Sequence, residues 1–154
     1  MEILSDLEIE EKYFDPLYSK AYSNYQDLKT EITAQHFQVF TVLQFATQIG
    51  NGGLFQYFWN IEAKYMDDLL IGLELIGDEK RKTIVVGAWK FVQPKLPFLL
   101  ESKQNSGLEA FDSVAEEFNY LSEIETELIH RSYELNDKVI AFVRHNPQFF
   151  KELS

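Results

Sequence analysis

The sequence predicts an all-α fold, a single-domain bundle of about six to seven helices spanning residues 1–154. Three observations predict it. Apolar residues recur at helical spacing over most of the chain, and no stretch alternates apolar with polar residues between turn signals as a half-buried strand does. Capping and breaking residues punctuate these runs at helix-length intervals. Apolar residues make up 45% and aromatics 15% of the 154 residues, enough for one packed core and unlike a disordered chain.

Asp15-Pro16 reads as an N-cap with proline at the first helical position, opening a helix with Leu17, Ala21, Tyr25 and Leu28 on one face. A longer helix over about 33–49 follows, with Phe37, Phe40, Val42, Leu43, Phe45, Ala46 and Ile49 as a wide apolar face. Gly50 or Asn51 is placed to end it in the left-handed conformation. A short helix is expected from Leu54 to Trp59. Asn60 then caps a helix carrying Ile61, Tyr65, Leu69, Leu73 and Ile76, with Glu62 in its first turn.

Gly77-Asp78 ends that helix and caps the next, which carries Ile84, Val85, Ala88, Trp89 and Val92 and stops near Pro94 and Pro97. Its TIVVGAW run is rich in β-branched residues, so a strand is the competing reading there. A polar loop is expected over about 101–108, as the most mobile segment. Two helices close the chain. The first buries Phe111, Val114, Phe118 and Leu121. The second opens on a Ser122–Glu125 capping box, buries Ile124, Leu128, Leu135, Val139 and Phe142, and runs to about Asn146 before Pro147.

The 25 acids outnumber the 14 bases, for a net charge of −11. That excludes direct nucleic-acid binding, which needs Lys and Arg against phosphates, and disfavours anionic membranes. The charge is uneven: −5 over residues 1–31, zero over 32–100, −8 over 101–137 and +2 over 138–154. No apolar run reaches the roughly 18 residues of a membrane span. The acidic start MEILSDLEIEEKYF is unlike a secretory leader. The absence of cysteine removes disulfide and thiolate chemistry, and a cytoplasmic protein is the expectation.

His36, His130 and His145 fall on separate elements and suggest no triad. Glu127 and His130 form one E-x-x-H, but a di-iron site needs two such motifs and two further glutamates, so no metal and no cofactor is expected. Glu123, Glu127, His130, Glu134 and Asp137 follow at spacings of 4, 3, 4 and 3. On one continuous helix they share a face along roughly 21 Å of axis. Asp112, Glu116 and Glu117 extend the acidic field. These seven acids are the candidate partner-binding residues; a merely solvated face is the plain alternative.

The stretch NGGLFQYFWN, Asn51–Asn60, has the glycines of a phosphate-binding turn but no preceding strand. No Lys or Arg lies between Lys29 and Lys64. It reads instead as a structural corner. Its glycines allow close backbone packing, Phe55, Phe58 and Trp59 fill the core, and Gln56 and Asn60 bond exposed backbone groups.

The pattern N-G-G-x-x-Q-[YF]-F-x-N, carried by Asn51, Gly52, Gly53, Gln56, Tyr57, Phe58 and Asn60, resembles a bacterial DNA-mimic-protein-like domain family once catalogued as of unknown function. LELIGDEK at Leu73–Lys80 and FDSVAEEFNYL at Phe111–Leu121 extend the resemblance over about 35–145. Gln48 stands where the family pattern leads one to expect a glutamate, and Leu54 where it leads one to expect an aromatic. The resemblance implies a helical, acidic homodimer without catalytic activity. Its carboxylates would stand in for DNA phosphates on a basic nucleic-acid-binding protein. An immunity-type inhibitor of a nuclease would use the same acids. An enzyme would need a cleft, with His36, Gln56 and Asn60 as its first polar cluster.

Overall fold

The computed structural model describes residues 3–23 and 25–153, with side chains at 3–20 and 27–153. Among these residues the architecture is all-α, without a strand. The expected helix face at Ala21 and Tyr25 lies outside the described side chains; Leu17 and Leu28 are buried as expected. The TIVVGAW run lies inside a helix.

Helices α1 (Asp6–Tyr13), α2 (Asp15–Ser23) and α3 (Tyr25–Glu31) lead into the central α4 (Ala34–Ile61). Ser5 and Glu8 form a reciprocal capping box at the start of α1. Thr33 caps α4 by accepting from His36 N–H. Helices α5 (Met66–Leu75) and α6 (Glu79–Val92) follow. Asp78 caps α6 by accepting from Arg81 N–H at 3.1 Å, as its position after Gly77 predicted.

The polar stretch over 101–108 is not a loop. Helix α7 (Leu96–Ser106) continues through it into the 3-10 turn Gly107–Ala110. Ser102, Asn105 and Ser106 do not break a helix alone, and Lys103 anchors the segment by donating to the Trp59 carbonyl at 2.7 Å.

The last third is also more divided than two helices. It comprises α8 (Phe111–Glu116), α9 (Tyr120–Ile124), α10 (Thr126–Ile129) and α11 (Tyr133–His145). Ser122 is no cap: its hydroxyl donates to the Asn119 carbonyl, and Glu125 is committed elsewhere.

Helix α4 turns back on itself. A straight helix would hold Gln48 and Asn60 about 18 Å apart; their side chains meet at 2.8 Å. The rings of Phe45 and Tyr57 likewise stand edge to face at 5.0 Å. The reversal falls at Gly53, whose φ of 82° and ψ of −175° interrupt the helix. That conformation belongs essentially to glycine. Arms 34–52 and 54–61 thus form the hairpin at the centre of the core, and the corner lies two or three residues beyond the expected stop at Gly50 or Asn51.

Helix α5 packs closely on the first arm. A Cβ at Gly72 would stand 2.3 Å from the Gln38 carbonyl oxygen, so only glycine permits this approach. Asn60 does not cap α5: it lies inside α4, and Glu62 ends α4 in the left-handed region. Glu62, Ala63 and Tyr65 all have φ near +60°. Such residues cost about 1 kcal/mol each or more, and persist where packing holds them.

The buried apolar residues form one cluster from Ile9 to Val143. At one end, Phe149 and Phe150 close over the start of α4. Thr33 donates to the Phe149 carbonyl at 2.6 Å, and the Phe150 ring lies 4.9 Å from His36. His36 is fully buried, with Nε2 donating to the Tyr13 carbonyl at 2.7 Å.

Burial lowers the His36 pKa below its ordinary 6.5, outweighing the Tyr13 carbonyl, which raises it. The folded state therefore prefers the neutral ring. Its contribution to stability is complete above pH 6.5 and is lost as pH falls from there toward the lower folded-state pKa. An NMR titration should give a ring pKa below 6.5, with the urea midpoint falling between pH 7 and 5. A His36 ring titrating at or above 6.5 would contradict this packing.

Candidate functional site

The corner over Asn51–Asn60 is built from both sides. Leu54 is fully buried, so its N–H, freed by the break at Gly53, has no access to water. The Glu125 carboxylate accepts from it at 2.8 Å across 71 positions of sequence. A Cβ at Gly53 would stand 2.5 Å from that carboxylate oxygen. Glycine is therefore required twice, for its backbone angles and for the approach of Glu125.

The amides take a different role from the one expected. Gln56 and Asn60 donate not to backbone groups but to the Gln48 side-chain oxygen, at 3.5 and 2.8 Å. Gln48 thus clips the two arms together, and a glutamate there would offer the same acceptor with a charge. Gly52 leaves room for the Gln56 amide, and Asn51 is exposed at the apex. Tyr57 and Phe58 are buried; burial pushes the Tyr57 phenol far above its usual range, so it stays protonated.

The second arm also presents aromatic anchors. Phe55 meets Phe111 at 5.0 Å and Phe118 at 5.3 Å, and Trp59 meets Phe111 at 5.3 Å. Phe91 of α6 adds contacts with Phe118 and Tyr120. Such pairs add about 0.5–1.5 kcal/mol each beyond area burial. Together with Glu125 they pin α8 and α9, the start of the acidic segment, to the hairpin.

The outward face of that segment carries the predicted acids. Asp112, Glu116, Glu117, Glu123, Glu127 and Asp137 are exposed. On α8, Asp112 and Glu116 lie four apart and share a face at roughly 6 Å. Five of the seven, Asp112, Glu116, Glu117, Glu123 and Asp137, have no ion-pair partner among the described residues. Glu127 only approaches Lys80 at 4.0 Å, with both side chains exposed. Glu134 is drawn inward, 3.6 Å from Arg81 and 3.9 Å from Arg131.

The expected single helical row from Glu123 to Asp137 is not present. The helix stops at Ile129: His130 has ψ of 121°, and Arg131 adopts a left-handed φ of 55°. The break is stabilised by a side chain that sequence reasoning passed over. Arg81, almost fully buried, donates to the Arg131 carbonyl at 3.0 Å and more weakly to that of His130 at 3.4 Å. Arg81 also pairs with Asp78 at 2.6 Å, and Lys138 reaches Asp78 at 3.1 Å. Burial raises the Asp78 pKa, but hydrogen bonds from Arg81 and Lys138 outweigh it and hold the carboxyl below its usual value.

The polar cluster that an enzyme would use does not assemble. Gln48, which touches Gln56 and Asn60, lies about 18 Å along the first arm from His36, and the His36 ring is enclosed by Tyr13, Phe14 and Phe150. Among the described residues no group of three or more His, Asp or Glu is arranged to hold a metal ion, and no helix is long and apolar enough to cross a membrane.

Among the described residues the protein is thus all-helical and carries exposed, unpaired carboxylates in its C-terminal third. Residues 30–146 match the family model described as DMP19-like protein, and the chain belongs to that family. The match covers the expected span of about 35–145. No curated protein and no solved structure matches the chain.

Replacing Gly53 with Ala forces a non-glycine residue into a glycine-only conformation against Glu125, and should cost about 2 kcal/mol or more. Glu125→Ala leaves the Leu54 N–H buried and unmade, at about 1–3 kcal/mol. Because both changes strike one contact, urea denaturation of the double variant should show a loss smaller than the sum. Strict additivity would mean the two residues are not coupled.

Proposed function

We propose that this protein is a non-enzymatic acidic binding protein that acts as a DNA mimic, occupying the DNA-binding surface of a basic regulator. The observation that carries the reading is the set of exposed, unpaired carboxylates at Asp112, Glu116, Glu117, Glu123 and Asp137, within a segment of net charge −8. Like charges near one another on a helix surface are mildly destabilising, so the fold does not need them there. They offer a basic partner what DNA phosphates offer it: exposed negative charge. Membership of the DMP19-like family supports the reading, since the resemblance read from the sequence implies mimicry and a homodimer.

Binding of this kind is steered by charge. It is fast at low ionic strength and weakens as salt screens the field. The test is capture of partners from the host's lysate by the whole chain, with the captured proteins identified. A DNA-binding protein should be retained at low salt and released by either high salt or competing duplex DNA. The variant with Asp112→Asn, Glu116→Gln, Glu117→Gln, Glu123→Gln and Asp137→Asn should keep its helical content and lose this partner, by tenfold or more in affinity if each acid contributes about 0.3 kcal/mol or more. A partner held equally by both proteins would overturn the proposal. A captured nuclease whose activity is blocked would replace mimicry of a regulator's DNA with inhibition of a toxic enzyme.

A further inference from the structure

An open cleft of about 450 Å³ lies between the turn that follows α4 and the end of α6. It is lined by Lys29, Tyr65, Asp67, Asp68, Trp89 and Gln93, with Ala63 and Met66. Its size is that of a small-ligand site. Two of the three left-handed non-glycine residues of the 62–65 turn, Ala63 and Tyr65, form its wall. Backbone held in so unfavourable a conformation is concentrated at ligand sites.

We propose that this cleft binds a guanidinium group carried on a short alkyl chain. Asp67 and Asp68 supply the counter-charge, and Trp89 and Tyr65 the aromatic faces. The lining side chains carry two carboxylates against one ammonium, so a monovalent cation balances the site. One cation of the chain, Lys29, already stands at the cleft. The Lys29 ammonium sits 2.8 Å from the Asp68 carboxylate, 5.7 Å from the Tyr65 ring centre and 5.5 Å from that of Phe37. It is a resident cation in a carboxylate and aromatic cage. The exposed Asp67 carboxylate and the half-buried Trp89 indole, which stacks on Phe58, line the same cleft. A guanidinium is planar and weakly hydrated. It stacks on an indole while it pairs with a carboxylate, which a compact ammonium does less well.

The opposite charge is disfavoured. The cleft lies at the N-terminus of α5, where unpaired backbone N–H groups attract anions. But Asp67 and Asp68 already occupy that first turn, and an anion would have to take Lys29 from Asp68. The inference is independent of DNA mimicry: it concerns other residues and holds whether or not any partner competes with DNA.

The test is a tryptophan-fluorescence titration of the full chain. Trp59 is 3% exposed, so a change reports mainly on Trp89. N-acetyl-arginine amide should give a saturable change with a Kd of about 1 mM, typical of a single small group, and N-acetyl-norleucine amide should give none. Asp67→Asn should weaken binding about threefold. Lys29→Met, confirmed folded by circular dichroism, should tighten it by freeing Asp68. Saturation by the capped derivative assigns the site to an arginine side chain of a protein, and saturation by free arginine alone assigns it to a metabolite. Two results overturn the proposal. One is no saturable response to either arginine form in wild type and Lys29→Met. The other is saturable binding of inorganic phosphate that Lys29→Met abolishes.

Discussion

The hydrogen bond from the Leu54 N–H to the Glu125 carboxylate is the contact on which the rest of the molecule depends. A 28-residue helical stretch cannot turn back on itself without freeing backbone donors. Here the reversal is buried, so water cannot satisfy the donor at Leu54. A carboxylate is a strong acceptor for a helix N-terminus and complements its dipole. The bond therefore does two things at once. It makes the reversal at Gly53 tolerable, and it ties the acidic segment to the hairpin from 71 positions away. The aromatic contacts of Phe55 and Trp59 with Phe111 and Phe118 follow from the same geometry.

The second irregularity is solved by the opposite charge. Beyond the end of α10 the Arg81 guanidinium donates to the carbonyls of His130 and Arg131, the second of which also accepts from the Glu134 N–H. Asp78 neutralises Arg81, and Lys138 completes the set. The acids of this protein differ in what they do for the fold. Asp78 and Glu125 are consumed by the fold, each placed where a backbone or a buried cation needs it. Asp112, Glu116, Glu117, Glu123 and Asp137 are exposed and have no ion-pair partner among the described residues. Under the proposed function these are the acids available to a partner.

Local pattern revealed the helices and misplaced their joints. The apolar faces of α4, α6 and α11 were legible because Phe37, Phe40, Phe45, Val85, Leu135 and Val139 repeat at helical spacing, and all are buried. The asparagine-glycine corner was legible as structure because Gly52 and Gly53 sit beside aromatics without a cation. Its position was not, since the stop at Gly53 rather than Gly50 is decided by Glu125. For the same reason Ser122 and Glu125 imitated a capping box: the spacing is right, but the carboxylate is engaged elsewhere. The row from Glu123 to Asp137 assumed a continuous helix, and nothing near His130 announces the break that Arg81 supports. Each error replaced a long-range bond with a local one.

The central claim is that the spare carboxylates, not the corner, carry recognition. The most direct measurement is the salt dependence of affinity for the captured partner, in wild type and in the variant with the five spare acids neutralised. Wild-type affinity should fall steeply with rising salt and the variant's slope should be markedly shallower, the variant being at least as stable to urea as wild type. A wild-type affinity that does not change with salt, or slopes that coincide, would contradict the claim.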